Sequence, residues 1–109
     1  MFLSGDLQLE PGNYAVIFAS ERELNQADYD QMDGATMAAV QHLDGYLGHE
    51  FVRNEKQAIF ISYWRDADAV NAWRQHALHR DAKSRGPQWY DAYRVAICPI
   101  ESTRLFRAE

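Results

Sequence analysis

An α+β domain with the element order βαββαβ and one antiparallel sheet is what this 109-residue sequence predicts. Three observations carry that reading. Four short runs rich in aromatic and β-branched residues have the length of strands. Two stretches between them repeat apolar residues at spacings of three and four, the period of a helix face. Turn signals, Pro11-Gly12, Asp44-Gly45 and Gly86-Pro87, separate the runs.

Met1–Asn13 reads as an N-terminal arm closed by Pro11-Gly12. Tyr14–Ser20, YAVIFAS, is nearly continuous in apolar residues and belongs inside a sheet. Met32, Ala35, Ala39 and Leu43 keep helical spacing and predict a helix over about Ala27–Leu43, which Gly34 weakens by up to about 1 kcal/mol. After Asp44-Gly45, the run Tyr46–Val52 carries His49 and Glu50 and is expected to be partly exposed. Asn54-Glu55-Lys56 turns the chain into Ala58–Trp64, so these two runs predict an antiparallel hairpin. Asp66 then offers an oxygen to the first free N–H groups of a second helix, and Asp68 adds negative charge to the same turn. Val70, Trp73 and Ala77 form its apolar stripe, and Gly86-Pro87 stops it. Tyr93–Ile100 is the last strand, and the tail keeps Leu105 and Phe106 as a short apolar hook. The order is the ferredoxin-like plan, in one domain spanning residues 1–109.

Composition narrows the function. Apolar residues make up 47% of the chain, enough for a real core without disulfides. Cys98 is the single cysteine, which points to a reducing cytoplasm; its apolar run Val95–Ile100 predicts a buried, inert thiol. No apolar run approaches the roughly 20 residues that cross a bilayer, and MFLSGDLQLEPG lacks the pattern of a signal peptide, so no membrane partner is expected. A net charge of −5 argues against a nucleic-acid backbone as partner. Phosphate loops, Cys/His metal spacings and strained-serine motifs are absent from the sequence. One packing problem remains. Two helices cover one face of a four-stranded sheet, yet Tyr14–Ser20 and Ala58–Trp64 are apolar on both faces. The simplest cover is a second copy, giving a homodimer whose sheets enclose an α/β barrel.

Two constellations could carry chemistry. Trp64, Trp73, Trp89, Tyr90 and Tyr93 could wall a flat aromatic ligand, with Tyr hydroxyls fixing its oxygens. Trp73 lies on the helix stripe and could equally be packing alone. His76 and His79, three apart, would need Asp81, His42 or His49 to complete a metal site; His-x-x-His by itself is too weak a signal, so no metal is predicted. Arg94 could clamp an anionic oxygen or pair with Asp91 or Glu101.

The string FISYWRDADAVNAWRQHALHRDAKSRG, followed by WYDAYRVAICPIES, resembles the antibiotic biosynthesis monooxygenase-like domains of the dimeric α/β-barrel superfamily. YAVIFAS and DGYLGHEFVR fit the first strand and the start of the second, so the resemblance spans about Tyr14–Phe106. It implies a small homodimer with a cavity between sheet and helices in each subunit. In the enzymes of this family that cavity holds a polycyclic phenol or quinol, oxidised by O2 without metal, flavin or haem. A related branch degrades haem, with an Asn on the first strand and a Trp followed ten residues later by a His. Trp73 fits that Trp, but Lys83 stands at the His position and YAVIFAS has no Asn.

The resemblance therefore implies a cofactor-independent monooxygenase for a small aromatic substrate, with a non-catalytic ligand-binding dimer as the alternative and haem binding as a third. It points to His79 as the general base, a role suited to an imidazole, whose ordinary pKa of about 6.5 lies near working pH. Trp64, Trp73, His76, Tyr90, Tyr93 and Arg94 are the expected substrate contacts. In a continuous helix His79 would lie about 120° off the Trp73 stripe, at the edge of the buried face where a cavity mouth would be.

Overall fold

A computed structural model describes residues 3, 6–22, 40–76 and 90–108. Its elements are β1 (Tyr14–Glu21), β2 (Tyr46–Asn54), β3 (Gln57–Trp64), α1 (Ala67–Arg74) and β4 (Ala92–Pro99). The strands form one four-stranded sheet in the order β2-β3-β1-β4, with every neighbouring pair antiparallel. This is the ferredoxin-like α+β arrangement. The long apolar run became β1, an interior strand flanked by β3 and β4, as its two-sided character requires. β2 and β3 form the expected hairpin, turned at Glu55-Lys56 with Glu55 in the left-handed region at φ 55°.

Strand pairing assigns faces, because paired residues of an antiparallel sheet share a side. Tyr14, Val16, Phe18 and Ser20 of β1 share one side with Trp64, Ser62, Phe60 and Ala58 of β3, and with Pro99, Ile97, Val95 and Tyr93 of β4. α1 packs on this side. Val16, Val40, Trp64, Ala69 and Val70 are its buried core, with Tyr14, Leu43, Tyr46 and Trp73 packed around them. Trp64 is fully buried, and its indole N–H is satisfied by Ser62 Oγ at 2.9 Å. Gly45 (φ 88°) lets the chain pass close to α1: a Cβ there would lie 2.5 Å from the Ala69 methyl.

α1 starts as the sequence predicts. Asp66 is the N-cap, its Oδ1 accepting from Ala69 N–H at 2.9 Å, with Asp68 in the first turn. Its end is a correction. The helix stops at Arg74; Gln75 N–H still reaches Asn71 O at 3.1 Å, and His76 N–H closes on Trp73 O at 3.0 Å, the tighter three-residue spacing of a terminating turn. No glycine or proline marks this point, so the sequence carried the helix on to Gly86-Pro87. His76 therefore lies outside α1, and the expected angle from Trp73 to His79 falls outside the described residues. The first predicted helix falls largely outside the described residues. Val40 retains helical backbone and residues 41–45 turn, so the chain has left the helix before Leu43.

The arm is anchored by Asn13, which is buried. Its Oδ1 accepts from Glu10 N–H at 2.8 Å and its Nδ2 donates to Arg65 O at 3.0 Å. Cys98 is half-buried rather than enclosed. Residues 101–108 carry Leu105 and Phe106 exposed. Among the described residues no helix is long and apolar enough to cross a membrane.

Candidate functional site

Away from the Trp64 core, the helix side of the sheet becomes a band of rings. Phe51, Phe60, Phe18 and Val95 stand in one row across β2, β3, β1 and β4. Beside Phe18, Tyr93 stacks at 5.6 Å between ring centroids with 21° between planes, and Tyr90 meets the same ring edge-on at 5.3 Å. Beside Phe60, His49 stacks at 5.2 Å with 23° between planes, and Phe51 tilts against it at 6.1 Å. Ser20 and Ala58, in the next row toward the hairpin end, are small and leave the rings uncrowded. Phe51 and Tyr93 at the flanks are 46% and 45% exposed, while Phe18 and Phe60 between them are half-buried.

The expected residues sort unevenly. Tyr90 and Tyr93 join the band through their contacts with Phe18. Trp73 is half-buried and packs on Trp64 at 5.4 Å, at the border between core and band. Trp64 itself is enclosed and cannot contact a ligand; it is core. His76 is half-buried just past α1. Arg94 pairs with Ala19, one residue out of step with Tyr93, and so occupies the opposite face. At the hairpin end of the sheet both Arg94 and Tyr93 nevertheless line one concavity. Among the described residues Arg94 forms no ion pair with Asp91 or Glu101. His79 and Trp89 lie outside the described residues.

His49 is the residue the sequence undervalued. The polar character of β2 suggested only partial exposure, but pairing with Ser62 turns the imidazole to the ring side. A bulge between Tyr46 and Gly48 shifts the alternation and brings Tyr46 and His49 to the same face. Tyr46 Oη is hydrogen-bonded to His49 Nδ1, and Tyr46 also meets Trp64 edge-on at 5.4 Å. Burial pushes the Tyr46 phenol above its ordinary value, so it keeps its proton. The usable signal was two-residue alternation, with His49, Phe51 and Arg53 on one side of β2.

The opposite face is aliphatic. Ala15, Ile17 and Ala19 of β1 lie beside Ile59, Ile61 and Tyr63 of β3. Among the described residues its polar pair is Tyr63 O–H donating to Glu50 Oε1 at 2.5 Å. Burial, then the Glu50 carboxylate, holds the Tyr63 phenol well above its ordinary range. A concavity of about 490 Å3 opens at the hairpin end of this face, lined by Val52, Ile59, Asn54, Glu21 and Arg94, with Tyr93 the one ring in its lining. Among the described residues no three His, Cys, Asp or Glu side chains gather as a metal site.

A family model described as antibiotic biosynthesis monooxygenase matches residues 28–85, just over half of the chain. The uncharacterized protein YqjZ of Bacillus subtilis is 37% identical over 100 residues, covering 90% of this chain and 88% of that protein. Among solved structures, SnoaB, a cofactor-independent oxygenase from Streptomyces nogalater, superposes with a TM-score of 0.70 at 13% identity, over 84% of this chain and 96% of that one. A dimeric protein of unknown function and ferredoxin-like fold from Bacteroides fragilis gives 0.63 at 13% identity, over 84% and 100%. At such identities the two structures share the fold.

Proposed function

The chain belongs to the antibiotic biosynthesis monooxygenase family, and on that premise we propose that it oxidises a small phenol- or quinol-type substrate with O2, using no metal, flavin or haem. The observation that carries this reading is the ring band of Phe18, Phe60, Tyr90 and Tyr93 beside His49. Stacked and edge-on rings gain about 0.5–1.5 kcal/mol each beyond area burial, which suits a flat ligand. Such a substrate is itself the reductant. Once deprotonated, its ring passes electrons to O2; at a ring methylene one oxygen atom stays as a new C=O and the other leaves as water with the two methylene hydrogens. The protein has to bind the ring, remove a proton and hold the anion. His79 is the base this proposal takes from the family resemblance, which also makes Tyr90 and Tyr93 the proposed substrate contacts.

The proposal includes a homodimer. Ile59 and Val52 are 46% and 49% exposed on the aliphatic face, a surface that a second sheet would cover. The proposed compartment is the cytoplasm, on the single cysteine.

Oxygen uptake with a panel of quinols and flavonoid-like phenols tests the activity. Turnover should be saturable and fall roughly 10²-fold in His79→Ala, with His76→Ala close to wild type. Saturable binding across the panel without oxygen consumption would leave a ligand-binding module in place of an enzyme.

A further inference from the structure

We infer that His49 donates a hydrogen bond from its Nε2–H to an oxygen on the bound ring and holds that oxygen as an anion. The inference rests on the aromatic-substrate reading above and specifies which substrates fit: rings bearing an ionisable hydroxyl. It begins with Tyr46. The Tyr46 hydroxyl has one hydrogen-bonding partner among the described residues, His49 Nδ1. A phenol is a good donor and a poor acceptor, whereas an unprotonated imidazole nitrogen is a strong acceptor. The bond therefore runs from Tyr46 O–H to Nδ1, and the imidazole proton resides on Nε2. Burial of Tyr46 beside Trp64 keeps that phenol protonated and so keeps the tautomer fixed.

The second step is position. Phe60 lies against the imidazole plane at 5.2 Å, and Nδ1 is turned to Tyr46, so the ring can neither tip nor flip without losing a contact. Nε2 is left with no bonding partner among the described residues. His49 is half-buried in the row next to Phe60 and Phe18, the rings on which a flat ligand would stack. A fixed donor at the edge of an apolar stacking surface favours an oxygen that carries charge, since a hydrogen bond to an ion is about twice as strong as one between neutral groups. The arrangement separates two tasks: another group takes the proton, and His49 stabilises what remains.

The full-length protein can be titrated with 4-nitrophenol in its ionised form and with 4-nitroanisole, both followed by quenching of tryptophan fluorescence. The anisole keeps the ring and its oxygen but cannot carry the charge. His49→Phe should weaken phenolate binding roughly 10-fold while leaving the anisole within about 2-fold, the difference expected for one charge-assisted hydrogen bond. His49→Gln, which restores an N–H donor, should recover most of the loss. His49→Glu gives a second reading that does not depend on the Phe variant folding: it should abolish phenolate binding and spare the anisole. Unchanged phenolate affinity in any folded donor-less variant would overturn the inference and leave the ring band intact. Failure of both probes to bind the wild-type protein would remove the inference together with the aromatic-substrate reading.

Discussion

The ring side of the sheet and its opposite face are built from the same four strands, residue by alternating residue, yet they present different chemistry. On one side stand Phe18, Phe51, Phe60, Tyr93 and His49, with Trp64 and α1 closing one end. On the other stand Ala15, Ile17, Ala19, Ile59 and Ile61, with the Glu50–Tyr63 pair as the polar exception. Rings provide flat surfaces with polar edges, suited to a ligand; short aliphatic chains provide a surface suited to another sheet. The two-residue period lets one sheet serve both uses without competition for positions.

The largest expected effect lies where the ring side meets its core. Trp64→Ala should cost about 3–5 kcal/mol, because a large buried side chain is removed and Ser62 Oγ loses its donor. A urea melt at fixed protein concentration should show the lower midpoint with an unchanged slope. A loss near 1 kcal/mol would mean that Trp64 is less central than its enclosure indicates.

Ile59→Asp separates the faces. Ile59 is half-exposed in the single subunit, so the subunit itself should tolerate the change. Against a second sheet the new carboxylate would be buried unpaired, and the dimer dissociation constant should rise roughly 10²-fold. Sedimentation across a concentration series reads this directly, and binding of an aromatic probe on the ring side should persist. Loss of probe binding along with dimerisation would show that the two faces depend on each other.

Much of the strand and helix framework was legible in the sequence, and the reasons are particular. YAVIFAS placed β1 within the sheet because no solvated strand would carry Val16, Ile17 and Phe18 together. Asp66 announced the start of α1 by a local mechanism, one side-chain oxygen on one backbone N–H, that needs no tertiary information. The end of α1 was hidden, since Gln75 and His76 are acceptable helix residues and only their backbone bonds reveal the stop. Faces were harder still. Tyr93 and Arg94 read as one cluster because they adjoin in sequence, but neighbours on a strand point to opposite sides. Tyr46 and His49 are three apart, which strict alternation would place on opposite faces; the bulge at Leu47 brings them together, and its one local mark is Gly48, a glycine inside the strand run with φ 155°.

Tyr63→Phe is the smallest change and examines the polar exception on the aliphatic face. The Tyr63 hydroxyl donates to Glu50 at 2.5 Å, and burial and that carboxylate raise its ionisation above the ordinary value of 10.0. A phenol whose folded pKa is raised is held neutral by the fold. The resulting stability is complete below the unfolded value and is lost as the pH climbs from about 10 toward the folded value. Removing the hydroxyl should therefore cost about 1 kcal/mol near pH 8, the usual worth of one hydrogen bond at a half-exposed position. The gap between wild type and variant should shrink in melts near pH 11. Tyr46 also titrates high, but it is common to both proteins and cancels in the difference. The same variant leaves Glu50 without its donor on the face assigned to a second copy, so dimer affinity should fall alongside stability. A gap that stays constant with pH would mean that Glu50 does not hold the Tyr63 proton. A dimer of undiminished affinity would place this pair outside the interface and confine the contact between copies to the aliphatic residues.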